Sequence, residues 1–201
     1  RRQIIWGQNE WAVAGTTTLT AGLRAEMLNI DSSDATSLAS QQRTFLQPSV
    51  HTRTPIDENL QFRANLARVT RNPSVWNLIN RTTPASGSNT ITNPDQSGNP
   101  NLRPEVAWTL DAGFDRRLAR QGQAGVHLFV RQLQDTLTNL TTFEGGRWVQ
   151  QRANVGEATV WGLEADVKSG LTCAGLGSDW TLSANASLLQ SRMTSGPNEG
   201  N

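Results

Sequence analysis

Residues 105–118 read EVAWTLDAGFDRRL, and nearly every second residue in that stretch is apolar. Val106, Trp108, Leu110, Ala112, Phe114 and Leu118 hold the even positions, with Arg116 the exception, while Glu105, Thr109, Asp111, Asp115 and Arg117 hold odd ones. Successive side chains of a strand point to opposite faces, so a period of two makes one apolar and one polar face. A helix, at about 3.6 residues per turn, would mix them.

The same alternation recurs on both sides of this stretch. Leu19, Ala21, Leu23, Ala25 and Met27 are apolar against Thr18, Thr20, Gly22, Arg24 and Glu26. Trp161, Leu163, Ala165 and Val167 alternate with Glu164, Asp166 and Lys168, and Trp180, Leu182, Ala184, Ala186 and Leu188 with Thr181, Ser183, Asn185 and Ser187. Less regular segments at 3–12, 43–53, 59–70 and 123–140 bring the expectation to about eight strands. Pro48 demotes the 43–53 segment towards an edge or a bulge. Within 123–140 the phase slips between Val130 and Leu133, which predicts a bulge.

Composition bounds which solvents the apolar faces can meet. Hydrophobic residues make up 36% of the chain, and mean hydropathy is −0.48. No apolar stretch approaches the about 20 residues of a membrane helix, but a transmembrane strand needs only about 9–11 residues, half of them polar. Low hydropathy is therefore compatible with a membrane barrel. With 18 Lys+Arg against 17 Asp+Glu there is no basic field for a phosphate backbone, which argues against nucleic acid as a partner. The single cysteine, Cys173, has no internal partner and reads as a small turn or buried residue.

Connections alternate between short and long, as in outer-membrane barrels with short periplasmic turns and longer outer loops. Short ones are expected at Val13–Thr16, Thr54–Asn59, Ala119–Gln123 and Gly170–Ser178. Longer or more polar ones are expected at Asp31–Gln42, Arg71–Arg103 and Thr141–Gly146, and after Arg192. The segment Arg71–Arg103, with Pro73, Pro84, Pro94 and Pro100, is too long for an ordinary connection and reads as a functional surface loop. Trp108, Trp161 and Trp180 fall on apolar faces, as an interfacial aromatic belt requires, although the absence of Tyr counts against that reading.

These segments also carry a resemblance. LTAGLRAE (19–26), FLQPSVHTRTPIDENLQFRANLARVTRNP (45–73), NPNLRPE (99–105), LDAGFD, LFVRQLQD and ANVGEATVWGLEADV (153–167) follow one another in an order that resembles the barrel of TonB-dependent outer-membrane receptors. NPNLRPE is the most distinctive, leading from a long outer loop into the next strand. The resemblance covers nearly all of residues 1–201. It implies an all-β, antiparallel up-and-down transmembrane β-barrel in the bacterial outer membrane, here incomplete, about eight strands of a wall of about 22. Both ends read as cut, and the plug domain and closing C-terminal strands are expected to lie outside this chain.

The resemblance further implies a transporter rather than an enzyme. Its ligand would be scarce and small, commonly a ferric siderophore, and its partners the TonB complex, acting through the missing plug, and outer-membrane lipid. No cofactor or resident metal is implied. Ligand contacts are expected from outer loops and the outer part of the inner wall, which selects Arg43, Phe45, Arg71, Trp76 and Glu105. His51 and His127 are expected on the polar side of separate strands, too few for a metal site without further ligands. Two alternatives stay open at the level of sequence: a barrel hydrolase using one of these histidines as base, and a soluble β-sandwich ligand-binding protein with its apolar faces packed together.

Overall fold

A computed structural model describes residues 1–34, 37–119, 122–170 and 180–196, with the backbone alone at 30, 32–34 and 37–41. In chain order the elements are β1 (Arg2–Val13), β2 (Thr17–Asp34), β3 (Ser37–Pro55), β4 (Leu60–Arg71), the single-turn helix α1 (Val75–Leu78), β5 (Thr82–Thr83), β6 (Asp95–Ser97), β7 (Glu105–Leu118), β8 (Gly122–Gln134), β9 (Leu137–Glu144), β10 (Arg147–Asn154), β11 (Ala158–Gly170) and β12 (Thr181–Met193). Eight of these strands make one antiparallel sheet in the order β1-β2-β3-β4-β7-β8-β11-β12. Its ends, β1 and β12, are not paired with each other, so the sheet is an open segment of wall.

Register keeps the two faces separate across the whole sheet. Ala21, Val50, Leu66, Leu110, Val130 and Trp161 are partners in turn across six strands. Ala64, Ala112, Leu128, Leu163 and Leu188 form the next row. Phe62 and Phe114, also partners, hold their rings 5.2 Å apart in a tilted pair. The opposite face carries Thr20, His51, Asn65 and Asp111 in one row and Arg63, Gly113, His127 and Glu164 in the next. A slip of one residue at any junction would put a charged row among the apolar ones, so the alternation itself fixes the register.

Nothing in the described chain covers the apolar face. Leu110 is 46% exposed, Leu128 47% and Leu163 41%, whereas the buried hydrophobic residues are Leu78, Leu102, Phe129 and Val155. None of these four comes from the apolar rows. A sandwich would have hidden those rows under a second sheet, and the structure instead leaves them as an outward band, as a lipid-facing wall requires.

Several sequence expectations are corrected. The segment 31–42 is no loop: β2 runs to Asp34 and β3 starts at Ser37, and the two remain paired as far as Asp34↔Ser37. Pro48 marks a real limit, since β3 pairs with β4 only from Ser49↔Ala67 to Pro55↔Gln61. A proline has no N–H to donate, and above it β3 keeps β2 alone as a partner. There is no bulge in 123–140. β8 stays in register to Gln134, Asp135 takes a positive φ of 56°, and a new strand begins at Leu137 in a different sheet. The expected loop 141–146 is instead the tip of a hairpin, β9–β10, comprising the end of β9 and a turn on Gly145 (φ 56°) and Gly146 (φ 82°). Two successive positive φ values are what a tight hairpin demands, and Gly-Gly supplies them without steric penalty. Cys173 and most of the 170–178 connection lie outside the described residues.

An outward band exposed to hydrocarbon predicts asymmetric tolerance to charge. Leu128→Arg, in the middle of that band, is expected to lower the stability of the membrane-inserted protein by about 2–4 kcal/mol. Asn65→Arg, on the inner face, should change it little. Denaturant titration of the full-length protein folded into lipid vesicles measures both, and equal effects would contradict the assignment of faces.

Candidate functional site

The two long connections, 72–104 and 135–157, leave the wall at the same end because β4, β7, β8 and β11 are consecutive neighbours. They combine into a second, four-stranded sheet, β5-β6-β10-β9, which caps that end. The strand β6 runs parallel to β10, with Asp95, Gln96 and Ser97 beside Val149, Gln150 and Gln151. The loop is therefore structured, and polar side chains carry most of its order.

Asp95 is the centre of that order. It is 4% exposed and accepts two hydrogen bonds from the Arg147 guanidinium at 2.6 and 2.8 Å, one from the Ala85 N–H at 2.8 Å and one from the Asn89 amide at 3.1 Å. Asn89 in turn brackets the backbone of Trp148, accepting from its N–H at 2.7 Å and donating to its carbonyl at 2.9 Å. The Arg147 fork, helped by the Ala85 N–H, holds the Asp95 carboxyl far below the usual carboxylate range.

NPNLRPE supplies the second anchor. The Asn99 side chain accepts from the Asn101 N–H at 2.9 Å and donates to the Arg152 carbonyl at 3.0 Å. Leu102 is fully buried and Pro104 buried. Arg103 pairs with Asp135, which raises the affinity of its guanidinium for its proton, and the Arg103 backbone is bracketed by Asn154 at 2.8 and 2.9 Å. Glu105 accepts the Leu137 N–H at 2.8 Å and faces Arg71 at 3.5 Å. A third anchor lies on β2. The carboxylate of Glu26, 2% exposed, binds Arg2 at 2.7 Å and Arg24 at 3.0 Å and accepts from Asn72, where the long loop begins.

Between α1 and this sheet lies a groove of about 580 Å³, lined by Trp76, Arg81, Asn139, Gln150 and Arg152 among others. Its back is closed by a tight crossing. The Asn99 N–H donates to the Asn77 carbonyl at 2.6 Å and the Gly98 N–H to the Arg81 carbonyl at 3.2 Å. A Cβ on Gly98 would sit 1.8 Å from the Ile79 carbonyl oxygen, so only glycine lets the two segments approach.

Of the five residues selected from the sequence, the structure brings Arg71 and Glu105 together as register partners and as an ion pair. Arg43 donates to the Leu102 carbonyl, and Phe45 lies opposite Glu26 on β3. Trp76, 82% exposed on α1, is apart from these four and lines the groove. Arg81, Arg152 and Asp95 were missed. The Gly-Gly pair at 145–146 is a hairpin signal that would have placed Arg152 on a strand, but nothing local marks Asp95 as buried. His51 and His127 face the inner side three strand spacings and one row apart. His127 lies 3.3 Å from Asp115, which also binds Arg63 at 2.6 Å. No hydroxyl bonds either histidine among the described residues, and no group of three or more metal-ligating side chains is gathered there.

A strand-built wall with its loops gathered into a cap at one end meets its match in a known family. The model of the TonB-dependent receptor-like β-barrel matches residues 1–201. The chain belongs to that family. Barrels of TonB-dependent receptors are outer-membrane proteins of Gram-negative bacteria, and the family's members are receptors and transporters rather than enzymes. Among solved structures the chain is similar to the copper transporter OprC, at 18% identity and a TM-score of 0.72, over 96% of this chain and 30% of that one. It is also similar to the siderophore receptor PirA from Pseudomonas aeruginosa (15%, 0.67, 96% and 43%). The alcaligin receptor FauA from Bordetella pertussis is a third (12%, 0.64, 100% and 32%). The chain thus spans less than half the length of each of these structures. No curated protein matches it in sequence.

The Asp95 cluster makes the order of the receptor cap depend on acid in a defined direction. A depressed carboxyl contributes fully above its ordinary range, near pH 4; below that its contribution shrinks steadily and is gone once pH has passed the lowered value. Amide protection of residues 85–97 is therefore expected to persist at about pH 4. Asp95→Asn should raise exchange there on the order of tenfold at neutral pH, read by hydrogen exchange of the full-length protein. Leu102→Ala, which empties a fully buried site, should cost about 2–5 kcal/mol.

Proposed function

We propose that the intact receptor takes up a scarce ligand, a ferric siderophore, across the outer membrane with energy supplied through TonB. The observation that carries this reading is the cap, a preformed groove of ligand size held over a wall whose inner face is polar. Pockets for small ligands commonly span about 300–1,000 Å³, and the groove falls in that range. The neighbours named for copper, a siderophore and alcaligin support import of a metal or its chelate as the class of task. Direct contact is assigned to Trp76 in the groove, and to Arg43, Phe45, Arg71 and Glu105 at the cap-side ends of β3, β4 and β7.

Disruption of the gene in its host, with iron supplied only as a ferric siderophore, tests the reading. Growth and radioiron uptake should fall to the level of cells without a receptor, and a protonophore should do the same to the wild type. Uptake that survives gene disruption, or that ignores the protonophore, would falsify it.

A further inference from the structure

Five arginines lie within residues 71–104 and 135–157, the segments that build the cap: Arg71, Arg81, Arg103, Arg147 and Arg152. Three of them are paired with carboxylates, namely Arg71 with Glu105, Arg103 with Asp135 and Arg147 with Asp95. The other two, Arg81 and Arg152, have no carboxylate partner among the described residues, and both line the groove.

Their placement is fixed by one dipeptide. The Gly98 N–H donates to the Arg81 carbonyl and the Asn99 amide donates to the Arg152 carbonyl. The strand registers Thr82↔Ser97 and Gln151↔Ser97, extended by one residue, set Arg81 and Arg152 on either side of Gly98. Two strand spacings separate them, about 10 Å. No Asp or Glu lines the groove, whose remaining polar groups are neutral, such as Asn139 and Gln150. At its side stands Trp76, 82% exposed, an indole face with no ring partner among the described residues.

We infer that this groove selects its ligand by negative charge, binding an anionic chelate that carries flat aromatic groups, a tris-catecholate, in preference to neutral or cationic chelates. This rests on the chelate-uptake reading above and narrows it. Two arginines lining one cavity, neither paired with a carboxylate, leave it positively charged until an anion enters. Each offers a planar fork suited to paired oxygens such as those of a catecholate or carboxylate. An exposed tryptophan beside them gives a ring for stacking. A neutral tris-hydroxamate leaves both charges unanswered, and a chelate with a free ammonium adds a third positive charge.

The test uses the full-length receptor in cells lacking other siderophore receptors, with radioiron as readout. Three ferric probes are compared: an anionic tris-catecholate, a neutral tris-hydroxamate, and a linear tris-hydroxamate bearing an ammonium. The wild type should bind the anionic probe most tightly. Arg81→Gln and Arg152→Gln should each weaken it roughly tenfold, and the double variant more, with the neutral probe unaffected. Arg81→Lys with Arg152→Lys should restore part of the loss, which separates charge from folding. Binding of all three probes alike, or a double variant that keeps its grip on the catecholate, overturns the charge selection while leaving the uptake reading intact. Binding of none of them overturns both.

Discussion

Lipid offers no hydrogen bonds, and that constraint organises everything else in this chain. An unpaired N–H or C=O in hydrocarbon costs several kcal/mol, so the wall must satisfy its backbone internally through continuous strand ladders. The ladders in turn lock side-chain parity. Once Leu110 is paired with Leu66 and Val130, the outward position of every second residue on those strands is settled, and so is the inward position of His51, Asn65 and Asp111. Pro48 shows the rule at its limit. Where β3 lacks a donor the ladder to β4 ends, and the β2–β3 pair continues alone.

The cap obeys a different physics. It lies outside the band that faces lipid, where water can answer polar groups, and it has little apolar material to build a core from. Leu78, Leu102 and Val155 are its buried hydrophobic residues. Its order comes instead from side chains that bond to backbone: Asn89 to Trp148, Asn99 to Arg152, Asn154 to Arg103 and Asp135, Gln151 to Gly98. Such bonds are individually modest, but each fixes a backbone segment in place, and here they link positions 50 or more residues apart in sequence in most cases. Glu105 illustrates how a wall residue is drawn into this scheme, accepting the first N–H of β9 while facing Arg71 across the ladder.

The contrast explains what could be read from the sequence. Strands of the wall announce themselves because their two faces meet two solvents, so the alternation in 105–118 or 19–27 follows directly from burial. The hairpin β9–β10 was hidden for the converse reason. Both of its faces are largely polar, as in TNLTTFE and QQRAN, and a strand without an apolar face carries no period to detect. The apparent bulge in 123–140 came from reading β8 and β9 as one strand, although the break is a single positive-φ residue, Asp135, between two sheets. Glu26 was also opaque. It sits in the polar phase of β2, and only the tertiary arrival of Arg2 and Asn72 makes it a buried carboxylate.

Segregation of paired from unpaired charge is what joins the cap's architecture to its chemistry. A buried carboxylate such as Asp95 is tolerable because Arg147, Ala85 and Asn89 meet its lone pairs together. The acids that line the cap's seams are consumed in this way, each fixing a junction. Asp95 joins loop to hairpin, Asp135 joins the β7 entry to the β8 exit, and Glu105 joins β7 to β9. Because the acids stand at the seams, the groove between them is left lined by arginine and neutral amides. Positive potential in the groove therefore follows from how the loops are held together, and a change that released one of those acids from its seam would alter the groove's charge as well as its shape.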